Sequence, residues 1–516
     1  MGTDDAMRDA RDAYCSRSAA TSLSRRRFVQ VLGLGALAAT TGSIVGCAPA
    51  KPASDGSDSV RAQAQEASYD VVIVGGGGSG LAAAVTAAEQ GKTVALLEKL
   101  DMLGGTYALS HLETIALDEG TGEFYDADGL YEYWMEQTQG KCNAELMRKV
   151  TSQINDTLSW IESMGCKLYT TGNTRPDAPA PIAFKSPSET GELMAGAGGL
   201  AADAMRKRFE ELGGEVFLGT PVKSLVVEDG AVVGVVSDEG GHEKTFLAPV
   251  TILCTGSFES GIGGEGNPVI DEYLPKLRGK NMFHVAKGYE GNTGDGIMMG
   301  RDIGASVTFH IPYVRGRMMC GGTVDAQLRP ESVLVNGDLE RFGNEAGLFR
   351  ELYNNAVEHG GNEAMFTLCG QGNLPKDMSA FEGNDGMLSG ETVAELAAQM
   401  GVGEQKLAAA IEKYNGYAAA GEDVDFQKPA ENLVAIEGSP LHAQKVMILV
   451  GGCIGGLSVD GSCRVLAEDG TAIPGLYSAG DTCNISFHGD FYLGSGSNTC
   501  FAMNSGRIAA REALGA

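Results

Sequence analysis

The chain has 516 residues, which is long enough for two or more hydrophobic cores, and its composition is that of a soluble globular protein. Its formal net charge is −28. A protein that recognises nucleic acid presents a basic surface, so this charge argues against a nucleic-acid partner, and we attribute the acidity to solubility. Glycine is unusually abundant, at 74 residues, which suits a cleft lined by backbone.

The N-terminal segment has the features of an export signal rather than of a folded domain. Residues 24–30 read Ser-Arg-Arg-Arg-Phe-Val-Gln and precede an apolar run over Val31–Val45, a pattern typical of a twin-arginine signal. The run is too short and too weakly apolar for a membrane span. It ends at Cys47 in a sequence that resembles a lipoprotein cleavage box; simple cleavage nearby is the alternative. We therefore expect a signal over 1–47, an extracytoplasmic protein with a lipid anchor at Cys47, and a disordered tether over 48–67.

After the tether, the sequence predicts a strand, a glycine turn and a helix. Asp70–Val74 is rich in β-branched residues, residues 75–80 read Gly-Gly-Gly-Gly-Ser-Gly, and Leu81–Gln90 is rich in alanine. Such glycines permit a tight turn, the approach of backbone to a pyrophosphate, and close packing of helix on strand. A second apolar strand, Thr93–Leu97, ends at Glu98, about twenty residues past the glycines, where a carboxylate can bind ribose hydroxyls. A flexible loop is the alternative, but the pattern favours a dinucleotide site formed by Gly75, Gly77, Gly78, Ser79, Gly80 and Glu98.

The cysteines do not predict a metal site. Eleven are present, but none forms a C-x-x-C pair, and those after Cys47 are scattered singly. We therefore expect no c-type haem and no iron–sulfur cluster of recognisable spacing within this chain. An isolated cysteine in an apolar strand, such as Cys254, fits a small core residue better than a ligand.

Four further segments resemble the flavoprotein subunits of the fumarate reductase and succinate dehydrogenase family. These are Gly104-Gly105-Thr106, residues 250–257 (VTILCTGS), residues 292–299 (NTGDGIMM) and residues 472–481 (AIPGLYSAGD). In relatives with covalent flavin a histidine precedes the threonine of the first segment, whereas Gly105 stands there in this chain. The resemblance therefore implies non-covalent FAD. It implies cofactor contacts at Lys99, Gly104, Gly105, Thr106, Val222, Thr255, Gly256, Asp295, Gly480, Asp481, Ser497 and Asn498.

The predicted fold class is α/β, with a Rossmann-like FAD-binding domain and an α+β capping domain that forms a mobile clamp in relatives. The FAD-binding domain spans 68–309 and 450–516, and the capping domain spans 310–449. A small antiparallel layer is expected from four alternating segments, with Asp229-Gly230 as a hairpin turn. These segments are Glu215–Leu218, Val222–Glu228, Val232–Ser237 and Thr245–Leu247. In the capping domain, Thr392–Met400 and Gly403–Ala419 have helical spacing.

This sequence differs from fumarate-reducing relatives at the positions that bind the two carboxylates of their substrate. Their HTMGG histidine segment is written Gly451–Gly456 here, without a histidine, and their carboxylate-binding arginine has no counterpart in His488–Gly496. In its place, Tyr492–Gly496 resembles the Y-P-G-x-G segment of ketosteroid dehydrogenases, where the tyrosine hydroxyl and a glycine N–H polarise a ketone. Tyr492 is therefore a candidate for polarising an uncharged carbonyl. The alternative is a core tyrosine with a satisfied hydroxyl.

The proton donor is less clearly indicated. Phe349 occupies the position where fumarate-reducing relatives carry an arginine, and Arg350 follows it. Arg350 is the leading candidate, although a surface arginine on a helix explains it equally well, and an arginine acid needs a relay because of its high pKa. His310 lies where the family has a substrate-binding histidine; its alternative is a structural hydrogen bond. Tyr313, Tyr353 and His488 are weaker candidates of the same kind.

The resulting hypothesis is an exported FAD-dependent reductase of an activated C=C bond in an enone, unsaturated acid or lactone other than fumarate. Hydride passes from flavin to the electron-poor carbon and an acid protonates its neighbour. Because NAD(P)H is cytoplasmic, electrons are expected from a separate membrane or cytochrome partner. The alternatives are the reverse reaction, desaturation of a ketone or ketosteroid, and a flavoprotein electron carrier without a small-molecule substrate.

Overall fold

The structure is a computed structural model. It describes residues 65–172, 181–190, 192, 194–262, 264–279, 282–284, 290–309, 318–320, 330–347, 349–359, 365–374 and 387–515. The predicted signal with Cys47, and the candidates His310 and Tyr313, lie outside these residues. The side chains of Arg350 and Tyr353 lie outside them as well.

The described part of the chain contains both helices and strands throughout its length. The α-helices described are α1 (Gly78–Glu89), α2 (Gly105–Leu109), α3 (Ala127–Gln137), α4 (Ala144–Ser152), α5 (Ile154–Ser163), α6 (Gly198–Glu211), α7 (Pro268–Tyr273), α8 (Asp295–Asp302), α9 (Phe349–His359), α10 (Val393–Met400), α11 (Glu404–Ala420), α12 (Ile485–His488) and α13 (Ser497–Leu514). The strands described are β1 (Gln65–Ser68), β2 (Val71–Val74), β3 (Val94–Leu97), β4 (Thr114–Ala116), β5 (Tyr169–Thr170), β6 (Ala183–Ser186), β7 (Glu215–Phe217), β8 (Val222–Glu228), β9 (Ala231–Asp238), β10 (Glu243–Leu247), β11 (Val250–Leu253), β12 (Met282–His284), β13 (Val307–Phe309), β14 (Met318–Cys320), β15 (Val333–Val335), β16 (Met365–Cys369), β17 (Met387–Gly390), β18 (Leu441–Val450), β19 (Gly455–Leu457), β20 (Arg464–Leu466) and β21 (Ala472–Ser478).

A six-stranded sheet forms the centre of the FAD-binding region, in the order β20, β21, β11, β2, β3, β7. All neighbours run parallel except β20, which is antiparallel to β21 at the edge. Every residue of β2, β3 and β11 is buried, as expected for parallel strands covered on both faces. Val74 pairs with both Leu97 and Leu253, so these three strands end at the same edge of the sheet. The predicted α/β class is confirmed.

One strand was assigned to the wrong sheet. We expected Glu215–Leu218 in the antiparallel layer, but β7 pairs in parallel with β3 and forms the edge of the central sheet. Helix α6 ends at Glu211, just before β7, and such a helix returns the chain to a parallel neighbour. A segment of three or four alternating residues cannot distinguish these two positions, so the preceding helix was the better guide.

The antiparallel layer consists of β8, β9 and β10 as predicted, with β1 added at its edge. Asp229 and Gly230 both have positive φ, 49° and 82°, which suits the two-residue hairpin expected between β8 and β9. Strand β1 pairs in parallel with β10. Strand β1 therefore includes the last three residues of the predicted tether, 65–67.

The capping region is built on a second mixed sheet around β18, which pairs with β12, β14, β16 and β17. Helices α10 and α11 match the two predicted helices. The Thr392 hydroxyl accepts a hydrogen bond from the N–H of Glu395 at 3.2 Å and caps α10, whose last turn ends at Gly401 with φ 73°. The apolar faces of both helices join one core through Leu396, Leu407 and Ile411.

The C-terminal helix returns to the beginning of the fold. Helix α13 packs along α1, and a Cβ on Gly506 would lie 2.2 Å from the carbonyl oxygen of Ser79. Only a glycine therefore allows this approach. Among the described residues, none of the helices combines the length and apolar character that crossing a bilayer requires.

Candidate active site

The glycine turn lies at the carboxyl edge of the central sheet, where nucleotide sites of this fold form. Gly75 has φ 103°, and a Cβ there would lie 2.3 Å from the carbonyl oxygen of Cys254. A Cβ on Gly80 would lie 1.9 Å from the oxygen of Gly75, so this glycine permits the close helix–strand packing predicted for it. A Cβ on Gly77 would meet no atom of the described residues within 4 Å. Gly77 therefore faces open space, which fits backbone approach by a pyrophosphate.

Helix α1 offers a site for that anion. It begins at Gly78 without a side-chain cap, and its first turn contains no acidic residue. Its first N–H groups therefore stay available, and the helix dipole places partial positive charge on them. Gly104 lies beside the turn: its N–H donates to the oxygen of Gly76 at 2.8 Å, and its φ is 109°. Gly105 and Thr106 follow as the first residues of α2.

Glu98 is held at the end of β3 with its carboxylate turned towards the glycine turn. Its Oε2 accepts from the N–H of Gly76 at 2.7 Å and its Oε1 from the N–H of Leu100 at 2.9 Å. Burial raises the pKa of Glu98, and these two N–H groups oppose that rise. The backbone thus fixes the side chain beside the open space at Gly77, and ribose binding by Glu98 stays a prediction.

Lys99 and Asp295 meet across the site, although almost two hundred residues separate them. Lys99 Nζ donates to Asp295 Oδ2 and to Thr293 Oγ1, both at 2.7 Å. Thr293 Oγ1 in turn donates to Asp295 Oδ1 at 2.6 Å. Both charged groups are partly exposed. The structure therefore brings together two residues that only the resemblance had placed at the cofactor.

Thr255 and Gly256 follow β11 and are fixed by the segment at residues 480–484. The Thr255 hydroxyl accepts from the N–H of Gly296 at 3.1 Å, and the oxygen of Gly256 accepts from the Thr482 hydroxyl at 3.2 Å. Gly480 has φ 67°, and a Cβ on it would lie 2.4 Å from Ser79 Oγ. The predicted segments before and after the capping region are thus in direct contact.

Asp481 occupies an unusual electrostatic position. Burial, reinforced by the nearby carboxylate of Glu259, raises the pKa of Asp481 to about 7, although a hydrogen bond from Asn484 Nδ2 at 3.2 Å opposes the rise. Asn484 also donates to the oxygen of Cys453 at 2.8 Å and accepts from the N–H of Gly455 at 3.0 Å. Sequence reasoning missed Asn484, which links Asp481 to the segment that replaces the family histidine.

The remaining predicted cofactor residues begin secondary-structure elements. Val222 is the first residue of β8 and is buried. Ser497 is the first residue of α13, and its hydroxyl donates to the oxygen of Gly494 at 2.6 Å. Asn498 follows it in the same first turn. No part of this arrangement conflicts with a bound dinucleotide: the positive-φ glycines, the uncapped helix α1 and the open space at Gly77 fit FAD.

A small uncharged cluster lies next to the start of α13. His488 is fully buried, and its Nε2 is 2.5 Å from Asn498 Oδ1. Burial lowers the pKa of His488 to about 4, so the ring is neutral at physiological pH. The Tyr492 ring lies against it, with centroids 5.3 Å apart. The structure thus joins the candidates Tyr492 and His488, and it gives no placement for the side chains of His310 and Arg350.

The parallel sheet, the glycine turn before the uncapped helix α1 and the capping sheet are typical of flavoprotein oxidoreductases of the fumarate reductase type. A family model described as "FAD binding domain" matches residues 70–498, and the chain belongs to that family. FAD as the cofactor and the family resemblance are thereby confirmed, whereas non-covalent attachment stays a prediction. The chain is an FAD-dependent oxidoreductase of a family that acts on C=C bonds.

Individual relatives cover most of the chain. A 4-oxocyclohexanecarboxylate 2-dehydrogenase from Sinomonas cyclohexanicum is 27% identical, over 87% of this chain and 93% of its own length. A urocanate reductase from Eggerthella lenta is 28% identical, over 80% of this chain and 69% of its own length. A solved structure, the open conformation of a flavocytochrome c3 fumarate reductase, is 25% identical with a TM-score of 0.68, covering 90% of this chain and 82% of its own.

A buried charge cluster in the capping region was also missed. Arg341 Nη2 binds Glu345 Oε2 at 2.8 Å and Asp423 Oδ2 at 2.9 Å, and Lys428 Nζ lies 3.5 Å from Glu345. Burial alone would lower the pKa of Arg341, but the bonds to both carboxylates raise it. Arg341 and Glu345 belong to the segment that precedes Arg350. The sequence could suggest their (i, i+4) pairing but not the bond to Asp423, which is 82 residues from Arg341.

Proposed function

We propose that the protein reduces an activated C=C bond conjugated to a carbonyl without charge, in an enone or lactone larger than fumarate. One observation carries the proposal: the positions near the start of α13 hold an uncharged cluster of Tyr492, neutral His488 and Asn498. A dicarboxylate needs cationic partners in a buried site, because each unpaired buried charge is costly. The urocanate reductase relative supports reduction as the direction of the reaction.

Each residue has a defined task in this proposal. Bound and reduced, FAD supplies the hydride. Tyr492 donates a hydrogen bond to the carbonyl oxygen and stabilises the negative charge that develops there. Arg350, with His310 as the second candidate, returns a proton to the neighbouring carbon through a relay to solvent. The neutral ring of His488 packs on Tyr492 and limits the orientations that its ring can take.

The cellular setting is part of the proposal. The twin-arginine signal and Cys47 support an exported protein with a lipid anchor. Since NAD(P)H is not available outside the cytoplasm, a separate membrane or cytochrome protein delivers two electrons for each double bond that is reduced. Labelling with a radioactive fatty acid in Cys47→Ala and unaltered protein tests the anchor: the label disappears from the variant if Cys47 carries it.

A second candidate is the reverse reaction, in which a saturated ketone loses two hydrogens. Two observations favour it specifically: the Tyr492–Gly496 segment, and the ketone dehydrogenase relative, which matches this chain over 93% of its own length. The flavin midpoint potential, together with the rates in both directions, distinguishes the two. A potential well below that of an enone couple supports reduction, and faster turnover of saturated ketones supports desaturation.

A panel assay tests the proposed function directly. The purified holoprotein is supplied with a reduced viologen and with enones, aryl acrylates, unsaturated lactones and fumarate, and oxidation of the viologen is recorded. We expect turnover of at least one substrate with an uncharged carbonyl, and a loss of about 100-fold in kcat for Tyr492→Phe, which removes one donor to the developing charge. Turnover of fumarate alone would contradict the proposal, as would a Tyr492→Phe variant with full activity.

A further inference from the structure

The hydrogen bond between His488 and Asn498 fixes the orientation of both groups. Asn498 Oδ1 can only accept, so the proton of the neutral imidazole lies on Nε2. The other ring nitrogen, Nδ1, is fully buried and has no hydrogen-bond partner among the described residues. The opposite tautomer would leave an N–H donor unsatisfied at that place, which costs more than an unused lone pair.

This bond has a consequence for the other end of the Asn498 amide. With Oδ1 turned to His488, the Nδ2 group and its two N–H donors point away from the imidazole. No residue of the described chain accepts a hydrogen bond from Nδ2, and the side chain is partly exposed. Two donors are therefore available to a bound molecule.

Gly452 leaves space in front of these donors. Among the described residues, and apart from its chain neighbours, a Cβ on Gly452 would have one atom within 4 Å, Asn498 Nδ2, at 4.0 Å. The φ of Gly452 is not in the positive region, so its backbone does not require glycine. The missing side chain thus leaves a gap whose one close neighbour is an amide donor. The gap lies in the Gly451–Gly456 segment, which the structure links to Asp481 through Asn484.

The main chain and the side chain of Asn498 can serve different ligands. Asn498 lies in the first turn of α13, where backbone N–H groups have no partner within the helix, so the main chain can meet the cofactor as the resemblance implies. The Oδ1 atom of the side-chain amide is hydrogen-bonded to His488, and the Nδ2 atom faces the gap at Gly452.

We propose that Asn498 is a second carbonyl-binding residue, whose Nδ2 donates to the substrate's carbonyl oxygen in the gap beside Gly452, and that His488 is the positioning residue that holds the amide in this orientation. This inference rests on the proposed function, because it requires a substrate that carries an uncharged carbonyl. With Tyr492, whose ring also contacts His488, it gives the oxygen two neutral donors.

The decisive experiment measures binding as well as turnover. Acetophenone is the probe, because this ketone has no C=C bond to reduce and no β-carbon to desaturate; benzoate is its charged counterpart. Binding to the FAD-loaded protein is followed by the change in flavin absorption. We expect Asn498→Leu, which keeps the volume and removes the donors, to weaken acetophenone binding by about tenfold and to lower kcat for enones by about 100-fold. FAD content and flavin midpoint potential should match the unaltered protein.

Variants of His488 separate positioning from support of the fold. His488→Gln retains a donor for Asn498 Oδ1 and should keep most of the acetophenone affinity, whereas His488→Leu should reproduce the loss seen in Asn498→Leu. The double variant His488→Leu with Asn498→Leu should lose no more than Asn498→Leu alone. Gly452→Ala places a methyl group in the gap and should weaken acetophenone binding while the unfolding midpoint in urea is unchanged.

The outcomes that overturn the proposal are distinct from failure of the proposed function. If Asn498→Leu binds acetophenone normally but releases FAD or shifts the midpoint potential, the amide serves the cofactor and the proposal is wrong. If the unaltered protein binds benzoate but not acetophenone, it is wrong as well. If acetophenone binding depends on Asn498 while no alkene is reduced, the carbonyl site stands and the reductase function fails.

Discussion

The nucleotide-binding region depends on places where side chains are absent, whereas the capping region contains four buried, paired charged side chains. A Cβ on Gly80 would lie 1.9 Å from a carbonyl oxygen, and a Cβ on Gly506 would lie 2.2 Å from another. In the capping region, Arg341, Glu345, Asp423 and Lys428 bring two positive and two negative charges into contact, with side chains at most 7% exposed. The first region is therefore vulnerable to added atoms, and the second to the loss of one charge.

The largest effect should come from adding one methyl group to the nucleotide-binding region. Gly80→Ala would force backbone atoms apart in α1 and should abolish FAD binding, measured as flavin absorbance per protein. Gly416→Ala is a matched control, because Gly416 is also inside a helix, α11, and a Cβ there would meet nothing within 4 Å. That change should stabilise the protein by about 1 kcal/mol. If Gly80→Ala and Gly416→Ala bound the same amount of FAD, the proposed sensitivity of the nucleotide-binding region to an added methyl group would be wrong.

Removing one charge from the capping cluster should have the next largest effect. Arg341→Met leaves Glu345 and Asp423 buried with less compensation, and we expect a loss of about 3–5 kcal/mol in the free energy of unfolding of the capping region. Lys413→Met is the control: its ion pair with Asp425 is exposed, and its removal should cost less than about 1 kcal/mol. Urea titration followed by a probe in the capping region measures both. Similar losses in the two variants would contradict a special role for the buried cluster.

A smaller effect, dependent on pH, should appear where the two predicted parts of the FAD-binding domain meet. Asp481 has a folded pKa of about 7, above the value of about 3.9 in an unfolded chain, so it is largely protonated below pH 7 and ionises above it. The family resemblance implies that Asp481 contacts FAD, and ionisation of a carboxyl group beside this anionic cofactor opposes binding. The Kd for FAD should therefore rise by about tenfold between pH 6 and pH 8. In Asp481→Asn this rise should disappear, and a variant that keeps it would show that another group titrates.

The same contrast explains how much could be read from the sequence. The turn at Gly75 and the close helix packing at Gly80 were predicted correctly because a position that excludes every side chain must be glycine, at a fixed spacing. Pyrophosphate binding at Gly77 stays a prediction. The cluster around Arg341 leaves no comparable trace, since Asp423 is 82 residues away and any exposed pair has the same composition. The position of β7 was missed because its three residues contain too little periodicity to choose between two sheets.

The substrate side was predictable only in part. Tyr492 could be proposed because it replaces an arginine in a recognisable segment. The partnership of His488 with Asn498 could not, since ten residues and a turn separate them and nothing in the sequence fixes their contact. The open space at Gly452 depends equally on its neighbours, because a glycine alone does not indicate whether its missing side chain would meet atoms or a cavity.

The contact between α1 and α13 also bears on how the protein is made. Ser79 touches residues that the ribosome adds about four hundred codons later, including Gly480 and Gly506. A nascent chain that carries the glycine turn therefore still lacks the helix that covers α1 and the loop that seals it. We therefore expect stable capture of the cofactor only after translation has supplied Ser497–Leu514, late in the maturation of this fold.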